Sequence, residues 1–235
     1  RIHARCVNLL APAVLTTREL KAMLLAEPVL KKQFELIHST NRILFGVGDI
    51  GPKSTVRASG IASRQEIDLC LKQGAKADRI SFGNTIKKAA DIAYAYEKGV
   101  RLFAFDSEPE LRKIAEAAPG SKVFCRVLME CEGAEWPLSR KFGCAPQMAA
   151  DLMVLARDLG LDPYGLSFHV GSQQTDLSQW DTALGRVSSL FSILRERDVE
   201  LRMVNLGGGF PARYTGEIAP LEAYAQTVMD AVRRH

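Results

Sequence analysis

The chain alternates short apolar runs with longer amphipathic stretches almost from end to end. The apolar runs lack polar alternation, which is typical of parallel strands that are covered on both faces. We therefore predict strands at residues 6–10, 42–47, 79–82, 101–105, 122–128, 164–170 and 201–206, with a weaker strand at 60–62.

Helical spacing of apolar residues fills the intervals between these runs. Glycines at 74, 99 and 160 stand where helices should end, and Ser107 with Pro109 forms a helix-start signal. The predicted helices are 17–38, 64–73, 86–98, 108–117, 147–159, 179–196 and 221–234.

A series of strand–helix units predicts the α/β class, either as a doubly wound sheet or as a barrel. Seven clear strands and one weak strand give eight units, and eight parallel units close a (β/α)8 barrel of the TIM type. We favour the barrel, with residues 1–235 as a single domain.

Composition excludes several classes of function. The net charge of +4 is small and no long basic run is present, so we expect no nucleic-acid partner. No apolar run has membrane-spanning length and no signal peptide is recognisable, so we expect a cytoplasmic protein. Five scattered cysteines, without a CxxC pair, favour buried thiols over disulfides or a metal site.

The candidate chemistry lies at the carboxyl ends of the predicted strands, where parallel α/β proteins place their sites. Gly207, Gly208 and Gly209 follow one strand, and their backbone N–H groups could closely approach an anion, although a tight turn is the alternative. His169 and Ser172 end the preceding strand, so we expect them at the same mouth.

Two cations complete the candidate site. Arg126 lies inside a buried strand, where an unpaired charge is costly, so we expect its side chain to point into the mouth. Lys141 is a weaker candidate, because it also fits a solvated loop. Together these residues predict a binding site for a small anion or a phosphate-bearing ligand.

Six ordered motifs closely resemble the ornithine/lysine/diaminopimelate decarboxylases, which are barrel-type pyridoxal-phosphate enzymes. The resemblance begins near residue 62 and runs to the end of the chain. Its motifs are Ser81-Phe82-Gly83-Asn84, Phe105-Asp106-Ser107-Glu108, Phe124-Cys125-Arg126, Arg140-Lys141-Phe142-Gly143, Ser167-Phe168-His169-Val170-Gly171-Ser172 and Asn205-Leu206-Gly207-Gly208-Gly209-Phe210-Pro211.

The resemblance implies a role for each candidate residue. His169 would stack on the pyridine ring of pyridoxal phosphate, and Arg126 would lie beside that ring. Lys141 would support the mouth. The phosphate would be held by Ser172, Gly207, Gly208 and Gly209, a set of groups that would also suit free phosphate or sulfate.

The resemblance breaks at two places. The family's Schiff-base lysine lies in an Ala-Val-Lys-Ala-Asn strand end, and this chain has Gly48 at the corresponding place. The chain also stops at His235, before the family's Glu-Pro-Gly-Arg strand and its dimer-forming β-domain. We therefore expect no catalytic residues, noncovalent cofactor binding at most, and a monomer.

Residues 1–60 resemble a different family, the sugar-phosphate-sensing domain of the sorbitol-operon (SorC-like) regulators, which has a flavodoxin-like sheet. Two of the motifs are Phe45-Gly46-Val47-Gly48-Asp49 and Ser54-Thr55-Val56-Arg57-Ala58-Ser59-Gly60. This implies a chimera in which a flavodoxin-like βαβ fragment, 1–60, precedes a decarboxylase-like barrel fragment, 61–235. The barrel would then have a permuted start, with strand 6–10 between strands 42–47 and 201–206.

Three functions stay open from the sequence. The first is a pyridoxal-phosphate amino-acid decarboxylase of polyamine biosynthesis. The second is a chimeric scaffold, natural or engineered, that retains phosphate affinity without a native reaction. The third is a sugar-phosphate-binding effector module. The missing lysine favours the second.

Overall fold

The computed structural model describes residues 62–129, 134–136, 142–211 and 218–235, all within one compact unit that spans Gly46–His235. The predicted strands 6–10 and 42–47 and the predicted helix 17–38 lie outside these residues, as does the proposed junction near residue 60. Within them, strands and helices alternate as the hydrophobic pattern predicts.

Five parallel strands form the main sheet in the order β1-β2-β3-β5-β7. The strands are β1 Ser81–Phe82, β2 Leu102–Phe105, β3 Lys122–Arg126, β5 Asp162–Ser167 and β7 Met203–Asn205. Among the described residues, six α-helices accompany it: α1 Ala62–Lys72, α2 Ala89–Glu97, α3 Glu108–Ala117, α4 Pro146–Asp158, α5 Ser178–Glu196 and α6 Leu221–Arg234.

This sheet is the curled half of a β/α barrel, with the helices packed outside it, so the predicted α/β barrel class is confirmed. The central strands are buried because they consist of continuous apolar runs, such as Phe103–Phe105 in β2 and Val123–Cys125 in β3. The register shifts between Val123 and Phe124 where β3 pairs with β5.

Two local predictions were wrong. Ala62 begins helix α1 rather than ending a weak strand, because the helical apolar spacing of this segment continues to Lys72. Ser107 precedes α3 with an extended backbone as expected, but its side chain makes no capping hydrogen bond.

A second, antiparallel pair of strands is an addition that the sequence did not predict. It joins β4, Ala134–Trp136, to β6, Ser172–Gln174, with Trp136 opposite Ser172. The pair places Ser172 directly after the carboxyl end of β5. No helix among the residues that the structure describes is both long and apolar enough to cross a membrane.

Candidate functional site

The glycine loop after β7 packs tightly against the end of β5. A Cβ atom at Gly207 would lie 2.0 Å from the Phe168 carbonyl oxygen, and one at Gly209 would lie 2.4 Å from the Gly171 carbonyl oxygen. Both glycines also have positive φ angles, +68° and +107°. Only glycine therefore fits at these two positions, and the backbones of the two strand ends meet.

His169 lies directly beside this loop. A Cβ atom at Gly208 would lie 3.2 Å from its Nε2 atom. The Gly171 N–H donates a hydrogen bond of 2.9 Å to His169 Nδ1, which holds the ring and leaves Nε2 to carry the proton of the neutral imidazole. The structure thus brings together the two strand ends that the sequence singled out.

The amides of the two loops are not equivalent. The Gly207 N–H donates to the Asn205 side-chain oxygen at 2.9 Å, and the Gly171 N–H is used by His169. The groups left as candidate anion donors are the amides of Gly208 and Gly209 and the hydroxyl of Ser172. The strand that carries Ser172 is held against the glycine loop, because the Gln174 N–H, two residues along β6, donates to the Gly209 carbonyl at 2.8 Å.

Arg126 ends β3 on the same side of the sheet. Its guanidinium carbon lies 5.3 Å from the centre of the Phe142 ring, a cation–π distance. Burial lowers the pKa of Arg126, and nearby Asp106 opposes that effect. Lys141, the remaining predicted cation, lies outside the described residues.

His169 and Arg126 share one electrostatic environment. The pKa of His169 is lowered first by burial and then by the positive charge of Arg126. Because both effects disfavour the imidazolium, His169 is neutral at pH 7 and presents a flat, uncharged ring. A neutral ring beside an arginine and a glycine loop suits a ligand with an aromatic ring and a phosphate.

Lys87 is a buried lysine that the sequence did not single out. Its ammonium donates to the carbonyl oxygens of Asn84 at 2.8 Å and Ala104 at 2.5 Å, and it lies 2.9 Å from Glu110 Oε1. Burial lowers its pKa to about 8 although Glu110 opposes the effect. Two carbonyl hydrogen bonds and one ion pair hold the ammonium in place, which makes this lysine a structural cation rather than a nucleophile.

An apolar groove with a volume of about 260 Å³ lies apart from these residues. Neither the glycine loop, His169, Ser172 nor Arg126 lines it. It is bounded by helices α5 and α6 and by β7, through Leu184, Val187, Phe191, Val204, Leu206, Met229 and Val232. Since the described residues that line it are apolar apart from Ser188 and His235, the groove is a poor match for an anion, and the glycine loop is the better candidate site.

Comparison with known proteins identifies the family. Residues 57–235 match the family described as "Pyridoxal-dependent decarboxylase, pyridoxal binding domain", so the chain belongs to that family. Residues 1–84 match a second description, "Putative sugar-binding domain". Both resemblances drawn from the sequence are confirmed.

One known relative and two solved structures illustrate the match. The ornithine decarboxylase of Caenorhabditis elegans is 35% identical over 73% of this chain and 40% of its own length. The lysine decarboxylase of Selenomonas ruminantium matches with a TM-score of 0.69 and 30% identity, over 76% of this chain and 48% of its own.

A third match is the structure of a mutant of SrLDC in complex with PLP. It has a TM-score of 0.73 and 27% identity, and it covers 94% of this chain and 63% of that chain. The chain spans less than half the length of the known relatives that it matches. The matches establish the barrel fold and the family of this chain.

Proposed function

We propose that this chain is a pyridoxal-phosphate-type barrel that binds pyridoxal phosphate, or another phosphate-bearing ligand, without covalent attachment and without decarboxylating amino acids. The observation that carries the binding is the glycine loop. It lies beside the His169 ring and is joined by the Gln174–Gly209 hydrogen bond to β6, the strand that carries Ser172.

Each residue has a distinct part in the proposed binding. The amides of Gly208 and Gly209 and the Ser172 hydroxyl donate to the phosphate. The neutral His169 ring offers a flat face to the pyridine ring, and Arg126 supplies positive charge beside it. When bound, pyridoxal phosphate would supply an electron-withdrawing ring that stabilises negative charge on a reacting carbon.

The proposed lack of decarboxylation rests on lysine chemistry. The family attaches the cofactor through a lysine, and by the sequence resemblance Gly48 occupies that place. Lys87 is no substitute, because its buried ammonium donates to the Asn84 and Ala104 carbonyls and is paired with Glu110. Binding without chemistry is the function that these residues support.

The two alternatives differ in what they require. An active decarboxylase of polyamine biosynthesis needs a correctly placed lysine. Lys53, near the relevant strand end in sequence, is the remaining candidate. A sugar-phosphate effector module would rest on the match of residues 1–84 to a sugar-binding domain.

We further propose that residues 1–60 and 61–235 are a chimera that completes one barrel domain. The two family matches, one over residues 1–84 and one over residues 57–235, support the chimera. Within the described residues, β7 pairs with β5 alone and Val204 is exposed, so this edge could accept another strand. Amide hydrogen exchange of β7 tests the idea: strong protection of the amides that do not bond to β5 supports an added strand, and rapid exchange of those amides contradicts it.

Isothermal titration with pyridoxal phosphate tests the binding. We expect saturable binding that inorganic phosphate weakens by competition, and weaker binding of pyridoxal, which lacks the phosphate. Gly208→Val places a side chain 3.2 Å from His169 Nε2 and should abolish binding, whereas Gly185→Ala, on α5, should not affect it. Equal affinity for pyridoxal and pyridoxal phosphate would contradict a phosphate site.

A separate measurement tests the proposed absence of decarboxylation. Release of labelled carbon dioxide from ornithine and lysine should stay at the level of a no-protein control with pyridoxal phosphate present. Borohydride reduction followed by peptide mapping should find no cofactor on Lys53 or Lys87. Carbon dioxide release together with modification of one specific lysine would overturn the proposal.

A further inference from the structure

Two buried cysteines lie in contact beside the candidate site. The Sγ atoms of Cys125 and Cys144 are 3.5 Å apart, although the residues are 19 positions apart in the chain. Both are free thiols, and both are buried, with exposed fractions of 0% for Cys125 and 6% for Cys144. The family resemblance assigns no role to either.

The backbone holds the two thiols face to face. Cys144 pairs with Val127 in a parallel bridge, and its N–H donates to the Arg126 carbonyl at 3.0 Å. Side chains two positions apart on a strand share a face, so Cys125 and Val127 point the same way, towards Cys144. A disulfide requires the sulfur atoms to approach from 3.5 Å to about 2.05 Å, a shift of the size that a loop next to a strand can make.

We propose that Cys125 and Cys144 are an oxidisable thiol pair that closes to a disulfide when the protein meets hydrogen peroxide. A metal site is the competing use of paired thiols, but it needs further ligands. The part of the chain that the structure describes contains no group of three or more Cys, His, Asp or Glu side chains that could hold a metal ion. The thiol pair is therefore better suited to redox chemistry.

The environment of each thiol assigns its role. A hydrogen bond from Cys125 lowers the pKa of Cys144, while burial raises the pKa of Cys125 well above its usual value. Cys144 is also the more accessible of the two. Since the thiolate is the nucleophile, Cys144 reacts first with peroxide and Cys125 resolves the product.

The steps balance with peroxide as the oxidant. The Cys144 sulfur attacks one peroxide oxygen, the O–O bond breaks, and a sulfenic acid forms while one water leaves. The Cys125 sulfur then attacks the Cys144 sulfur, so that the S–S bond forms and the S–O bond breaks. The departing hydroxide takes the Cys125 proton as a second water. The two thiols lose two hydrogens and two electrons, and peroxide becomes two waters.

Peptide mapping of the full chain under non-reducing conditions tests the pair. After peroxide treatment and alkylation of free thiols, we expect a linked peptide that joins Cys125 to Cys144 and that dithiothreitol separates. Cys70, which is only half-buried and lies outside the pair, should remain a free thiol and therefore be alkylated. Unlinked, fully alkylated Cys125 and Cys144 after treatment, or a link from either to another cysteine, would overturn the proposal.

Dimedone labelling of sulfenic acids separates the two roles. Cys125→Ser, whose hydroxyl can still donate a hydrogen bond to Cys144, should leave a sulfenic acid on Cys144 that dimedone traps, whereas Cys144→Ala should leave Cys125 unlabelled. Cys70→Ser is the matched control and should still form the linked peptide. Labelling of Cys125 in the Cys144→Ala protein would show that the assigned order is wrong. The mapping of the unaltered chain does not depend on whether any variant folds.

Discussion

Lys87 and Glu110 form an ion pair in the interior, with Nζ 2.9 Å from Oε1 and side-chain exposures of 0% and 3%. The pair joins the segment after β1 to the first turn of α3. Glu110 has a second partner in Lys113, whose Nζ lies 2.6 Å from Oε2 and whose side chain is 31% exposed. Two lysine side chains therefore pair with one buried carboxylate.

Lys87→Met should destabilise the protein by about 3 kcal/mol, because it leaves a buried carboxylate with only one partner at the protein surface. Urea unfolding followed by circular dichroism measures the change. The double variant Lys87→Met/Glu110→Leu should recover most of the loss, since apolar replacements of a buried pair are often nearly neutral. A single variant within about 0.5 kcal/mol of the parent would show that the pair contributes little.

Gly165→Ala should destabilise the sheet between β5 and β7. The added Cβ would lie 2.3 Å from the Met203 carbonyl oxygen, so the two strands would have to separate. We expect a loss of about 1–3 kcal/mol, as in other overpacked interiors. Gly185→Ala, in helix α5 with ordinary contacts, should instead stabilise by up to about 1 kcal/mol. Equal effects of the two substitutions in thermal unfolding would contradict this account.

Much of the fold was predictable because its signals are local. Helix α3 has the predicted bounds, residues 108–117, since Pro109 and the early acidic residues mark its first turn. The glycines at 74, 99 and 160 end helices with positive φ angles, as predicted. The strands β2 and β3 lie within their predicted apolar runs, because continuous burial leaves a continuous pattern.

The features of the fold that were not predicted depend on contacts between residues far apart in the sequence. Strands β4 and β6 have three residues each, too few for an alternating pattern, and they pair across nearly forty positions. Glu110 looked like an acid at the start of a helix, where its charge would face water. The burial that pairs it with Lys87 comes from the packing of α3. No local spacing encodes either contact.

The candidate site was predictable in its strand ends but not in its hydrogen bonds. The order of the parallel strands brought His169 and Gly207–Gly209 together, as expected from the carboxyl-end rule. No sequence pattern indicated that the Asn205 side chain accepts from the Gly207 amide, a hydrogen bond that removes this donor from the proposed phosphate contacts.

The protein should become less stable on acidification, because protonation of His169 is disfavoured in the folded state. Its folded-state pKa is lowered, so below pH 6.5 the unfolded chain binds this proton more readily than the folded chain. The stabilising contribution is complete above about pH 6.5 and is lost as the pH falls towards the folded pKa. In His169→Asn, whose amide oxygen can still accept from Gly171, the decrease between pH 7 and pH 5 should be smaller. Parallel pH profiles for the two proteins would argue against His169 as the titrating group.

A chain of hydrogen bonds runs from helix α5 through α6 and β6 to the glycine loop. Trp180 Nε1 donates to the Tyr224 hydroxyl at 2.6 Å, and that hydroxyl donates to the Gln174 carbonyl at 2.8 Å. The Gln174 N–H in turn donates to the Gly209 carbonyl at 2.8 Å. Helix α6 therefore supports β6 and, through it, the loop proposed to hold phosphate.

Tyr224→Phe removes one hydroxyl from this chain and should cost about 1–3 kcal/mol in urea unfolding, because the buried Trp180 N–H and Gln174 carbonyl each lose a partner. It should also weaken binding of pyridoxal phosphate, since the loop loses support without losing a ligand contact. Thr227→Ala, on an exposed position of α6, is the control and should change neither quantity by more than a small amount. Loss of stability with unchanged affinity would show that β6 positions the loop without help from α6.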